Sequence, residues 1–237
     1  MEIRLTKKTL PKKVRIIDGF PGFGLIGTIS TEFLIEHLSA EKIGSFHYEE
    51  LPATVAIHKE KLVDPMGIFY NKKYNLVILH TILNSVGLEW KLANSIMKLG
   101  KDLQATEIIS LEGVSSPQVT ESENVFYYTN TSKYVPRLEK LKLQPLKESI
   151  IVGVSAALML RSKIPLVCFF AETKSELPDS KAASNIIKTL DSYLGLKVDY
   201  KPLLKQAEQF EQKFKTLLKQ SAMTAKERDK KQMSYLG

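Results

Sequence analysis

The stretch Val14-Arg15-Ile16-Ile17-Asp18-Gly19-Phe20-Pro21-Gly22-Phe23-Gly24-Leu25-Ile26-Gly27 decides the fold, because an apolar strand runs into Gly22-x-Gly24-x-x-Gly27 and then into a helical pattern. In a dinucleotide-binding turn such glycines allow a tight reversal, close approach of backbone to a pyrophosphate and close packing of helix on strand. Gly22, Gly24 and Gly27 are therefore candidate cofactor contacts. Glu49, which lies roughly twenty residues further on in the pair Glu49-Glu50, is the candidate sugar contact. The immediate neighbours point elsewhere. Phe20, Pro21 and Phe23 crowd the place a pyrophosphate would take and suit a packed surface. A purely structural turn, a turn at a subunit interface built on Phe20, Pro21 and Phe23, and a nucleotide turn all remain open from these residues.

Outward from the turn, short apolar runs alternate with stretches whose apolar residues recur every three or four positions. That alternation marks an α/β domain. Strands are expected at 14–17, 43–47, 54–58, 67–70, 76–80, 107–111, 125–129, 150–154 and 165–170, with 66–70 and 75–80 forming a hairpin. Helices are expected at 25–38, 88–99, 134–141, 155–160 and 180–194. The fold class is α/β: a largely parallel sheet sandwiched by helices, with a long C-terminal helix and tail. The domain plan is an α/β domain over 1–200 and a C-terminal helix with a mobile tail over 201–237.

The composition, 43% hydrophobic and 25% charged, is that of a globular domain. No run of eighteen apolar residues offers a membrane span, and the first fifteen residues lack the apolar stretch of a signal peptide. A cytoplasmic protein without membrane attachment is expected. The net charge of +8 is concentrated at the ends: residues 1–15 hold six Lys/Arg against Glu2, and residues 201–237 hold nine against four acids. The body between them is slightly acidic and has no basic stripe interleaved with aromatics, so nucleic acid is not an expected partner. Charged ends read as solvated ends.

Catalytic signatures are absent. Gly113-Val114-Ser115-Ser116-Pro117 and Gly153-Val154-Ser155-Ala156-Ala157 approach the nucleophile elbow but lack its final glycine. His37, His47, His58 and His80 are scattered, with no metal-binding spacing among them, and Cys168 sits alone in an apolar run, so neither a catalytic set nor a metal site is expected. In α/β sheets ligands bind beyond the carboxyl ends of the strands. Any small-molecule site would lie where 19–24, 112–116 and 172–179 meet. No cofactor is expected there.

Beyond Pro202, Leu203, Ala207, Phe210, Phe214 and Leu217 recur at spacings of four and three, a heptad-like seam that packs either on its own domain or on a partner helix. The chain then becomes charged and ends in Gln232-Met233-Ser234-Tyr235-Leu236-Gly237, where three sizeable apolar side chains gain nothing unless they dock.

Several blocks carry a resemblance: 19–27, Leu111-Glu112-Gly113, Gly153-Val154-Ser155-Ala156-Ala157-Leu158, Ala171-Glu172-Thr173, and Pro178-Asp179-Ser180-Lys181-Ala182-Ala183, followed by Leu194-Gly195-Leu196 and Val198-Asp199. Together they resemble the archaeal branch of the proteasome assembly chaperone family, homologues of the second eukaryotic proteasome assembly chaperone. The resemblance spans nearly the whole chain. It implies a domain similar to the purine nucleoside phosphorylase architecture, no established active site, homo-oligomers, and binding to proteasome α-subunits during core-particle assembly. It also implies a tail that ends in a hydrophobic residue, tyrosine and one further residue, and that inserts between α-subunits. Here Tyr235 stands third from the end and Leu236 is penultimate, so the motif is not met; Met233, Tyr235, Leu236 and the terminal Gly237 are the candidate partner contacts. The expected function is a non-enzymatic assembly chaperone. The alternative is a nucleotide- or nucleoside-binding enzyme using Gly22, Gly24, Gly27 and Glu49.

Overall fold

The structure, a computed structural model, describes residues 1–6, 10–49, 55–58, 60–83, 85–115, 124–173 and 177–198. In chain order the strands are β1 (Glu2–Leu5), β2 (Arg15–Gly19), β3 (Glu41–His47), β4 (Ala56–His58), β5 (Lys61–Val63), β6 (Met66–Asn71), β7 (Leu76–Thr81), β8 (Glu107–Ser115), β9 (Val125–Thr129), β10 (Gln144–Pro145) and β11 (Leu166–Thr173). The helices are α1 (Ile26–His37), α2 (Glu89–Asp102), α3 (Val135–Lys140), α4 (Val154–Arg161) and α5 (Ser180–Leu194). The seam at 203–217, the C-terminal helix and tail, and Met233, Tyr235, Leu236 and Gly237 lie outside the described residues.

Nine strands form one sheet in the order β1-β3-β6-β7-β2-β8-β11-β9-β10, and β4 pairs with β5 separately. The centre, β7-β2-β8-β11, is parallel, while β6 joins β7 and β9 joins β11 in antiparallel sense. Helical connections flank the sheet on both faces, as the α/β class requires. At the far edge the two-residue β10 adds to β9 in parallel, whereas β6 and β7 must be antiparallel because 66–71 and 76–81 are joined by a four-residue turn, too short for a crossover. One apolar layer joins α1, α3 and α5 to the sheet through residues such as Phe33, Leu138, Phe169 and Ile187. The opposite layer joins α2 and α4 through Ile16, Leu92, Ile96, Leu158 and Phe170.

Helix α5 forms where its sequence asks for it. The Asp179 Oδ1 accepts from the Ala182 N–H at 2.9 Å, the apolar stripe Ala183, Ile186, Ile187 and Leu190 is buried, and Gly195 at φ +69° ends it. Two expectations fail. Residues 150–153 do not form a strand: Gly153, at φ +94°, turns the chain into α4, and Ile150 and Val152 stay exposed. The basic start is not wholly solvated, because Glu2–Leu5 adds an edge strand antiparallel to β3. Its alternating exposure directs Ile3 and Leu5 toward the α2-side layer and leaves Glu2 and Arg4 outward, which keeps the edge charged.

Candidate functional site

The described parts of the three segments expected to meet at the carboxyl edge, 19–24, 112–115, and 172–173 with 177–179, do meet. Phe20 to Leu25 cross the ends of β2 and β8 and reach the loop before α5. The Asp179 N–H donates to the Gly24 carbonyl at 2.9 Å, and the Thr173 hydroxyl donates to Asp179 Oδ2 at 2.8 Å. Gly24 takes φ +65° and Leu25 φ +49°, so the turn is left-handed just before α1 begins.

The glycines serve contact between protein and protein. A Cβ on Gly27 would stand 2.5 Å from the Leu111 carbonyl oxygen and 2.9 Å from the Gly19 Cα, so α1 lies directly against β2 and β8. A Cβ on Gly22 would overlap Glu112 Oε1: the turn is seated on that carboxyl group. Ile26, Gly27 and Thr28, the first turn of α1, are buried. A phosphate has no approach to that helix terminus without displacing the turn. Glu49 is not brought to it either. It follows β3, and β6 and β7 stand between β3 and β2. Phe20 is 4% exposed and packs into its own α2-side core, while Pro21 and Phe23 are half-buried at the surface.

Beneath the turn is a polar chain. Asp18 on β2, Ser110 and Glu112 on β8 and Ser155 in the first turn of α4 all lie on the α2/α4 side of the sheet, and all four are buried. Ser110 Oγ is 2.8 Å from Asp18 Oδ1, Ser110 Oγ is 2.9 Å from Ser155 Oγ, and Ser155 Oγ is 2.8 Å from Glu112 Oε2. Asp18 Oδ2 is buried with no hydrogen-bond partner. Burial pushes the Asp18 carboxyl up to about 7 against the opposing pull of the Ser110 hydroxyl. Burial pushes Glu112 up to about 8, and the nearby Asp18 charge adds to this; hydrogen bonds from Ser155 and the Gly113 N–H pull it down. Cys168, register partner of Ser110, is buried, and its thiol is raised by burial and by both carboxylates.

His80, at the end of β7 beside Gly19, has Nδ1 2.9 Å from Thr31 Oγ1 and Nε2 2.9 Å from Glu32 Oε2. Thr31 is itself buried and also donates toward the Gly27 carbonyl at 2.9 Å, so this set ties α1 to the sheet. His47 contacts Ser45 at 3.1 Å and His37 stacks on Phe33. Among the described residues no group of three or more His, Cys, Asp or Glu is arranged to hold a metal ion, and no helix is long and apolar enough to cross a membrane. The polar chain escaped sequence analysis. Its signal was Asp18, an acid inside the otherwise apolar run Ile16-Ile17-Asp18, at a register position between two buried strands.

A family model, that of the PAC2 family, matches residues 16–218. The chain belongs to the PAC2 family. Among solved structures, this PAC2 protein is similar to PbaA of Pyrococcus furiosus, described as an archaeal homolog of proteasome-assembly chaperone. The TM-score is 0.83 at 27% identity, over 94% of this chain and 100% of that one. It shares its fold with PbaB of Pyrococcus furiosus, described as an archaeal proteasome activator (TM-score 0.74, 20% identity, 91% and 98% covered). Among curated proteins, MJ0106 of Methanocaldococcus jannaschii is 24% identical over 208 residues, covering 86% of this chain and 85% of that protein. Of the blocks that carried the resemblance, 19–27, 111–113, 171–173 and 178–183 meet at the carboxyl edge, and Ser155 of the block 153–158 bonds to Glu112 beneath it.

Proposed function

We propose that this PAC2 protein is a non-enzymatic chaperone that binds proteasome α-subunits and aids core-particle assembly. One observation carries the reading: the carboxyl edge, where an α/β enzyme would open a crevice, is filled by the protein's own turn, while large apolar side chains stand outside. Val86 and Trp90 at the start of α2, Ile150 and Val152 before α4, and Leu160 near its end are all exposed, Ile150 at 91%. Helices α2 and α4 meet there, with the Arg161 guanidinium over the Trp90 ring at 4.2 Å, and apolar exposure on such a surface suits protein partners. The similarity to PbaA along its whole length supports the same reading.

In this proposal the α/β domain forms a cytoplasmic homo-oligomer. Pro21 and Phe23 supply the outward part of the turn's interface and Phe20 supports them from the core. Met233, Tyr235, Leu236 and the Gly237 carboxylate engage the α-subunits. Several tails on one scaffold raise the effective concentration for a ring of repeated pockets. The test is native mass spectrometry of the full chain, alone and mixed with α-subunits. A complex is expected, and it should weaken at least tenfold when residues 232–237 are deleted. Absence of any complex with the full chain would overturn the chaperone reading; undiminished binding by the truncated chain would overturn the role of the tail.

A further inference from the structure

The chain Asp18–Ser110–Ser155–Glu112 has three oxygen–oxygen contacts at 2.8, 2.9 and 2.8 Å. Each contact at that length between oxygens is a hydrogen bond and needs one proton between its atoms. Two serine hydroxyls supply two protons. If both carboxyl groups were ionised, one contact would set two bare lone pairs face to face at a separation too short for a water to stand between them. Neither serine has another acceptor among the described hydrogen bonds. We propose that Asp18 and Glu112 hold a proton in common, carried by one carboxyl group and relayed to the other through the two hydroxyls, so that the core under the glycine turn is a pH-sensitive element of the fold.

The relay has two equivalent senses. With the proton on Glu112, the donors run Glu112 to Ser155, Ser155 to Ser110 and Ser110 to Asp18. With it on Asp18, every hydroxyl reverses. Both senses satisfy all three contacts and leave one negative charge, which the low dielectric spreads along the chain. Two carboxylates sharing one site cannot both ionise cheaply, because like charge and burial act in the same direction. The titratable groups facing the pair are few: Cys168 from β11 and each carboxyl group from the other's strand, with no cation from β2, β8, β11 or α4 among the described residues. Burial raises both acids above the usual carboxylate range, and the Asp18 charge raises Glu112 further. Gly22 lies directly against Glu112 Oε1, so the turn rests on one end of the chain.

The unfolded chain releases these protons near pH 4. The folded pair holds both protons below about 7, shares the remaining one between about 7 and 8, and gives it up as pH rises through about 8. Folded-state values raised above the unfolded ones mean stability that is fully present below about pH 4 and is lost as pH rises toward 8. Each retained proton raises the unfolding constant tenfold per pH unit in that window. The test is chemical denaturation of the full-length protein from pH 5.5 to 8.5 beside Asp18→Asn and Glu112→Gln. Either amide donates into the chain in place of the shared proton and fixes its sense. The expected result is an unfolding constant that climbs about tenfold less per pH unit in each variant than in the wild type; three superimposable slopes would overturn the proposal. Should neither variant fold, infrared spectroscopy of the wild-type protein in heavy water at pH 7.5 decides. A protonated-carboxyl carbonyl band supports the shared proton, and its absence refutes it.

Discussion

The two ends of the parallel sheet solve the same problem, a buried carboxyl group, in opposite ways. At the amino end, Glu107 opens β8 and is buried. The Arg15 Nε stands 2.9 Å from its Oε1, and the Tyr193 hydroxyl donates to its Oε2 at 2.8 Å. Arg137 lies over the Tyr193 ring at 3.9 Å and donates to the Tyr193 carbonyl. Burial and the Glu107 charge raise the Tyr193 phenol, which keeps it a donor. Five residues along the same strand, Glu112 has no such cation among the described residues. It and Asp18 are joined only by hydroxyls. At one end a guanidinium and a phenol close on the acid and tie α3 and α5 to the sheet; at the other, two acids face each other through hydroxyls.

The comparison breaks most sharply if the cation is removed. Arg15→Met leaves Glu107 buried and uncompensated, and should cost about 3 kcal/mol at pH 7 by chemical denaturation. A cost under about 0.5 kcal/mol would mean that the Arg15–Glu107 pair contributes little and that the contrast between the two ends does not hold. At the other end the weak point is steric. Gly22→Ala drives a methyl group into Glu112 Oε1 and should cost about 2 kcal/mol. Adding Glu112→Ala should recover part of that cost in a double-mutant cycle, because the second substitution removes the atom that the first one strikes.

The difference between the ends also has a pH signature. From pH 5.5 to 8 the wild type should lose stability while Asp18 and Glu112 keep protons that the unfolded chain has released, the loss levelling off as those protons leave near 7 and 8. The slope amounts to about 1.4 kcal/mol per pH unit for each proton retained. Arg15→Met should lower this curve without flattening it. The smallest effect belongs to the surface. Trp90, 46% exposed beneath the Arg161 guanidinium at 4.2 Å, should cost about 0.5 kcal/mol or less when changed to Ala. The same change should nevertheless weaken any partner seated on α2 and α4, as measured by the mass of the mixed assembly.

These contrasts also mark what the sequence could convey. Local signals carried α5 to the residue, because Asp179, the apolar stripe and Gly195 act within one segment. The hairpin of β6 and β7 was equally local. Residues 150–154 were misread because an apolar run looks the same whether it is a buried strand or the exposed approach to a short helix; only Gly153 and the room around it decide. Strand β1 is four residues long with two charges, below any periodicity. At the carboxyl edge the convergence of 19–24, 112–116 and 172–179 was legible, since the rule for sheet edges depends only on strand direction. Its content was not. The pairing of Asp18 with Ser110 spans 92 residues and that of Ser155 with Glu112 spans 43, and register between distant strands is a tertiary outcome. Glu49 failed for the same reason: the rule assumes the next strand is a neighbour, and here two strands intervene.

The place of β11 in the sheet has a consequence for synthesis. It is the last strand among the described residues, yet it lies between β8 and β9, and β9 otherwise pairs only with the two-residue β10. A nascent chain therefore carries Val125-Phe126-Tyr127-Tyr128-Thr129 without its main partner until residue 173 has emerged. At roughly 5–20 residues per second that delay is several seconds. For that interval the aromatic strand is a free edge beside the ribosome, and the final closure of the fold is an insertion between two existing segments. Slow synthesis through 130–173 would lengthen the exposure, and yield of folded protein should fall with it.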